Sequence, residues 1–198
     1  MTREAMLDTK TTEHLFRVAR ECGATAAAVI DVEDIILSED LAALCNPEAC
    51  ERYGQAPSCP PVIGGPEDFR QRFADFSAAI VMRIDVPTEM LLSSQRREVM
   101  CLLHEVAAGV ERAAVALGWK AAAALAGGSC KFLFCHDEAD CSVLERRGEC
   151  RHPDTARPSM SGFGIDVTRL MESAGWIMQR AVDEDTSIAP VVALVMLG

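Results

Sequence analysis

The sequence predicts an α/β fold, a compact mixed sheet flanked by helices with cysteine-rich loops between the elements. Three observations carry that prediction. Helical and strand-like patterns alternate along the chain, helix then strand, twice over. The 198 residues are 49% hydrophobic and 25% charged, enough apolar material for one core and too ordinary a charge for a disordered chain. The nine cysteines fall chiefly in two turn-rich stretches that show neither the helical nor the strand period. The whole chain, residues 1–198, reads as one α/β domain.

Each element has its own signal. Residues 11–22 (TTEHLFRVAREC) set Leu15, Val18 and Ala19 at helical spacing, and Gly23 stands where a C-cap belongs. Residues 24–32 (ATAAAVIDV) form a short apolar run of strand length. Residues 66–76 open on a proline and two acids and carry Phe69, Phe73 and Phe76 on one helical face. Residues 77–86 read as a strand stopped by Pro87. Residues 93–117 give the longest helical stripe, through Val99, Leu102, Leu103, Val106, Val110, Ala113 and Leu117. Gly118 ends it, and residues 119–126 read as a strand. Asp166 is placed to cap a helix running to Ser173. Residues 188–196 form the closing strand, in which Pro190 suits a strand start or an edge better than a central position.

The order helix, strand, cysteines, helix, strand thus occurs twice, which raises an internal α-β-Cys-α-β pseudo-duplication with halves 1–92 and 93–198. Residue identity between the halves is slight.

The charge balance excludes some functions. Nineteen basic and thirty acidic residues leave a net charge of −11, which repels a phosphate backbone and argues against nucleic acid as the partner. Residues 1–16 are polar and lack the apolar run of a signal peptide. The apolar stretch at 188–197 is shorter than the roughly 20 residues a membrane span needs. The expected location is the cytoplasm, with no membrane partner. In that reducing compartment clustered cysteines point to metal or redox chemistry rather than to disulfides.

The cysteines divide into two groups. Cys130-x4-Cys135-x5-Cys141-x8-Cys150 supplies a complete tetrathiolate set, and soft thiolates select zinc or iron–sulfur clusters over hard cations. Zinc sites commonly use pairs two to four residues apart. The wider gaps here suit loops that wrap a four-iron cluster. Cys45-x4-Cys50-x8-Cys59 supplies three thiols, and Cys59-Pro60-Pro61 has the Cys-Pro ending that recurs in cluster-binding runs. Three thiolates plus one other ligand would leave an iron open to a substrate. Alternatively, all seven thiols converge on one site, or a histidine or another cysteine closes the second one.

Cys22 and Cys101 lie on helical patterns and read as core residues. His136 and His152 stand beside ligand cysteines and are candidates for ligand, proton carrier or ordinary loop histidine. His14 and His104 read as residues on the polar flanks of helices. No nucleophilic triad order, phosphate loop or dinucleotide fingerprint appears. Gly162-Phe163-Gly164 is too short for a nucleotide loop, and Asp183, Glu184 and Asp185 read as a solvated turn.

Two segments, CNPEACERYGQAPSCPP (45–61) and GGSCKFLFCHDEADCSVLERRGECRHPDTARPSMSGFGIDV (127–167), resemble a cysteine-rich family of predicted metal-binding proteins, a domain of unknown function common in anaerobic bacteria and archaea. Tyr53, Cys59, Pro60 and Pro61 carry the first part of the resemblance, and Cys130, Cys135, Cys141 and Cys150 the second. Arg157, Pro158, Ser159, Met160, Gly164, Ile165, Asp166 and Val167 carry the third. The resemblance implies metal binding and no particular reaction. In the Arg157–Val167 stretch, Arg157 is a candidate partner for a cluster-bound or substrate anion.

The expectation is therefore an iron–sulfur protein with one or two [4Fe-4S] clusters, acting in electron transfer or cluster-based redox chemistry with a protein redox partner and an unspecified small-molecule substrate. The first ligand set is Cys130, Cys135, Cys141 and Cys150, and the second Cys45, Cys50 and Cys59. The alternatives are a zinc-stapled structural or interaction module and an enzyme whose three-cysteine cluster keeps an open site.

Overall fold

Two ten-residue apolar runs organise the molecule. In the computed structural model, which describes residues 7–146, 148–176 and 188–198, they are strands β2 (Ala78–Pro87) and β4 (Ile188–Leu197) at the middle of a four-stranded sheet. β1 (Ala26–Asp31) flanks β2 and β3 (Ala122–Leu125) flanks β4, giving the order β1-β2-β4-β3. Every neighbouring pair is antiparallel, so the expected mixed sheet is corrected to an antiparallel one. The chain between β1 and β2, and again between β3 and β4, returns each strand in the opposite sense. No parallel crossover joins neighbours.

Both faces of the central pair are apolar. Ile80, Met82, Ile84 and Val86 of β2 and Ala193, Val195 and Leu197 of β4 point to one face, while Ala79, Val81, Val192, Leu194 and Met196 point to the other. The register Ile80↔Val195 and Met82↔Ala193 keeps each set in line across the strands.

The first face is covered by two long helices. α1 (Thr9–Glu21) starts at Asp8, whose carboxylate accepts the Thr11 N–H at 2.7 Å. It buries Leu15 and Ala19. α5 (Arg96–Ala116) buries Val99, Leu103, Val106, Ala107, Val110 and Ala114. The helices approach closely where Cys22 meets Gly109, since a Cβ at Gly109 would stand only 2.8 Å from the Cys22 sulfur. Cys22 thus packs against the core.

The second face is covered by short pieces. These are α2 (Glu39–Ala43), α3 (Gly65–Arg72), α7 (Val167–Ser173) and a 3-10 turn at Ser161–Phe163. Phe69, Phe73 and Phe163 seal it, with ring centroids 4.8 to 5.7 Å apart. Asp166 caps α7 through Thr168 N and Arg169 N. Gly164 holds φ +75° with its would-be Cβ against the Ser38 carbonyl. The Gly-Phe-Gly stretch is therefore a packed turn, and at Gly164 only glycine fits. Two more short helices, α4 (Thr88–Leu92) and α6 (Cys130–Phe134), and a 3-10 turn at Val32–Asp34 complete the described elements.

Pro190 is the third residue of β4, near the strand start expected for it, although β4 is a central strand. β3 pairs only with Leu194–Leu197 of β4, so at Pro190 β4 has β2 as its one neighbour among the described strands. The missing proline N–H costs no ladder bond there. Element order and strand order are those a doubled unit would have, but they do not establish a duplication. The acidic 183–185 stretch lies outside the described residues. Among the described residues no helix is long and apolar enough to cross a membrane.

Candidate metal centre

The second cysteine group begins where β3 ends. Gly128, at φ +89°, turns the chain into α6, whose first residue is Cys130. The loop that follows carries Cys135, Cys141 and Cys150 around to the same place, and all four cysteines line one small cavity together with Phe134 and His152. All nine cysteines are free thiols. Cys130 is buried, 7% exposed, and the other three are half-buried.

The cavity wall is held by polar ties. The Lys131 ammonium donates to the carbonyls of Cys135 at 2.8 Å and Glu138 at 2.5 Å. Arg151 pairs with Glu138 at 3.3 Å, and the Ser142 hydroxyl donates to the Glu149 carbonyl at 3.0 Å. The His152 N–H points at the Cys150 sulfur, 3.4 Å away, an arrangement that stabilises a thiolate. The Ser129 hydroxyl, buried next to Cys130, has no hydrogen-bond partner among the described residues. It is a spare donor on the residue that precedes Cys130.

Electrostatics show that the thiols share a neighbourhood. Burial pushes Cys130 above the ordinary thiol value, with Cys59 and Cys150 adding to the rise and hydrogen bonds from Ser58 opposing it. Burial also raises Cys135, where Cys150 and Cys141 act in the same direction and Arg151 and Lys131 against it. Without a cation these sulfurs stay protonated. A soft metal ion or cluster would reverse the balance and release the protons. Among the described residues no three His, Cys, Asp or Glu side chains are drawn in to the spacing of a single ion. The sulfurs stand around the cavity wall instead. The donor set is all soft thiolate, with Lys131 and Arg151 beside Cys135, and fits a thiolate-ligated metal group.

The first group is built differently. Cys45 follows α2, and Asn46 folds the next turn by accepting the N–H groups of Glu48 at 2.8 Å and Ala49 at 2.9 Å. The Cys50 N–H bonds the Asn46 carbonyl at 3.0 Å, and the Cys59 carbonyl accepts from Val62 and Ile63. Burial raises the Cys45 thiol, with Cys50 and Cys59 adding to it, so these three are also neighbours. Cys45 in addition faces a cleft of about 710 Å³ beside Leu44 and Thr168.

Ser58 joins the two groups. It is 5% exposed, its hydroxyl accepts the Cys130 N–H at 3.0 Å, and the same oxygen lies 3.7 Å from the Cys59 sulfur. Its carbonyl accepts the Ser159 N–H at 2.9 Å. Nearby, the Arg52 guanidinium stacks over Phe132 at 3.5 Å.

Three sequence expectations change here. His104 is not on a polar flank but fully buried, because its ring fits between α5 and the second cysteine loop. Arg157, read as a candidate partner for an anion, has a carboxylate partner within the chain. Its guanidinium pairs with Glu111 at 2.5 and 2.8 Å, the two side chains being only 11% and 17% exposed. Cys101, read as a core residue, is half-buried, with its sulfur 3.6 Å from the Leu133 carbonyl of the short helix that begins at Cys130. His14 lies on α1, half-buried, with its Nδ1 2.8 Å from the Arg17 guanidinium on the same helix. His136 is exposed, with Arg97 at 2.6 Å and Asp137 at 3.0 Å.

Sequence reading missed Ser58, His104 and Glu111. The last two are seven residues apart on α5 and border its apolar stripe. Polar residues at that spacing beside buried Leu103, Ala107 and Ala108 were the available signal.

No curated protein and no solved structure matches the chain. The seven grouped thiols all fall in residues 28–197, the span matched by the family model described as "Predicted metal-binding protein (DUF2284)", and the chain belongs to that family of predicted metal-binding proteins.

Proposed function

We propose that the protein is a cytoplasmic iron–sulfur protein, with Cys130, Cys135, Cys141 and Cys150 holding a [4Fe-4S] cluster and Cys45, Cys50 and Cys59 serving a second one. Its work is electron transfer or redox chemistry at a cluster, with a protein redox partner. The observation that carries this reading is the single cavity lined by all four cysteines of the second group.

Three features support it. The gaps of four, five and eight residues contain no tight Cys-x2-Cys knuckle of the kind that grips one zinc ion. Lys131 and Arg151 stand beside Cys135 and offset the negative charge that four thiolates bring. The three-thiol group leaves one iron position for another ligand, next to a cleft of ligand size.

The test is anaerobic purification followed by visible absorption, EPR, and iron and acid-labile sulfide analysis. A brown protein with a reducible EPR signal and about four irons per occupied site is expected. A colourless protein with stoichiometric zinc and no sulfide after the same anaerobic preparation overturns it.

A further inference from the structure

The second cysteine loop leaves the sheet at Gly127 and returns at Arg157, and one buried side chain touches both ends. His104 is 0% exposed. Its Nε2 lies 2.9 Å from the Gly127 carbonyl, three residues before Cys130. Its Nδ1 lies 3.1 Å from the Arg157 backbone N–H, seven residues after Cys150. A carbonyl only accepts and an N–H only donates, so these partners set the tautomer: the proton is on Nε2, and Nδ1 accepts. The ring also meets Phe134 edge-on, with centroids 5.4 Å apart. Phe134 in turn stacks on His152 at 5.4 Å, and both residues line the thiol cavity. The imidazole therefore contacts the entrance, the wall and the exit of the loop.

Its neighbours on α5 reinforce the same closure. Glu111 holds the Arg157 guanidinium and also accepts the Ala124 N–H of β3 at 2.6 Å. Arg112 donates to the Asp154 carbonyl at 2.7 Å. Helix α5 is anchored in the core by Leu103, Val106 and Val110, so it supplies a rigid base for these ties.

We infer that His104 is a positioning residue for the four-thiol site, closing the cysteine loop before metal arrives. Bringing the ends of a loop together costs entropy. A residue that has already closed it makes each thiolate–metal bond more favourable, without touching the metal. This role rests on the assignment of Cys130, Cys135, Cys141 and Cys150 as ligands, but not on which metal is native.

The probe is cobalt(II), whose thiolate charge-transfer band reports sulfur ligation directly. His104→Leu keeps the apolar bulk and removes both hydrogen bonds. It is expected to weaken cobalt binding by the four-thiol set by about 10- to 100-fold. His104→Gln restores a donor and an acceptor on a side chain of similar reach, and is expected to recover part of that loss. The metal-free proteins are compared by circular dichroism and thermal midpoint, so that the affinity is read at matched folding. Wild-type affinity in His104→Leu overturns the role. So does a loss in His104→Leu that His104→Gln does not relieve at matched folding. No charge-transfer band in the wild-type protein removes the ligand assignment itself, and this role with it. A graded loss at matched folding supports the role.

Discussion

The two cysteine loops use the same residue and reach different degrees of organisation. The first, through Cys45, Cys50 and Cys59, is shaped by local hydrogen bonds: the Asn46 side chain, short turns and the carbonyl of Cys59. The second, through Cys130 to Cys150, is closed by groups distant in sequence: His104, Glu111, Arg112 and Ser58. Four thiols line one cavity in the second, whereas Cys45 of the first faces a broad cleft. A loop shaped mainly by its own turns, with Ser58 as its tie to the second loop, presents its sulfurs near one another. A loop held by a helix and a strand presents them around a defined space.

That contrast can be broken outright by removing a sulfur. Cys130→Ser is expected to abolish metal binding at the four-thiol set, while Cys45→Ser leaves that equivalent in place, as read by metal content after gel filtration. Equal losses in the two variants would mean that the seven thiols serve one centre. The next largest effect is on the tie between helix and loop. Glu111→Ala strands the Arg157 guanidinium in a nearly buried position and is expected to cost about 3 kcal/mol in the metal-free protein. Denaturant unfolding measures it. A cost no larger than that of an exposed ion pair would show that the second loop is not held from α5.

Ser58→Ala tests the junction between the loops. The buried Cys130 N–H loses its acceptor, which is expected to cost roughly 1 to 2 kcal/mol, again by denaturant unfolding. The smallest effect is on pH dependence. Burial holds His104 below its ordinary value, against the pull of the Gly127 and Thr155 carbonyls, with the Arg157 charge adding to the lowering. The unfolded chain therefore binds a proton, as pH falls below about 6.5, that the folded chain does not. Stability of the metal-free protein should decline through that window. His104→Gln, which does not titrate, should flatten the decline, and thermal midpoints between pH 7.5 and 5.5 give the comparison.

Much of this protein was determined by local sequence. The local spacing supplied Phe69 and Phe73, two of the three sealing rings, Asp166 fixed the start of α7, and the apolar runs at 78–87 and 188–197 became the central strands, since period and capping are local properties of the chain. The grouping of seven thiols apart from Cys22 and Cys101 was equally legible in the spacing. Tertiary structure alone decided the antiparallel strand order, the place of Pro190 beside a β3 too short to reach it, and the partner of Arg157. It also decided that His104, polar and on a helix, is buried. Pairing and burial depend on which distant segments meet, and a single strand or helix carries no record of its neighbour. His104 needed both Gly127 and Arg157 to satisfy its two nitrogens, and only the closed loop brings them to it.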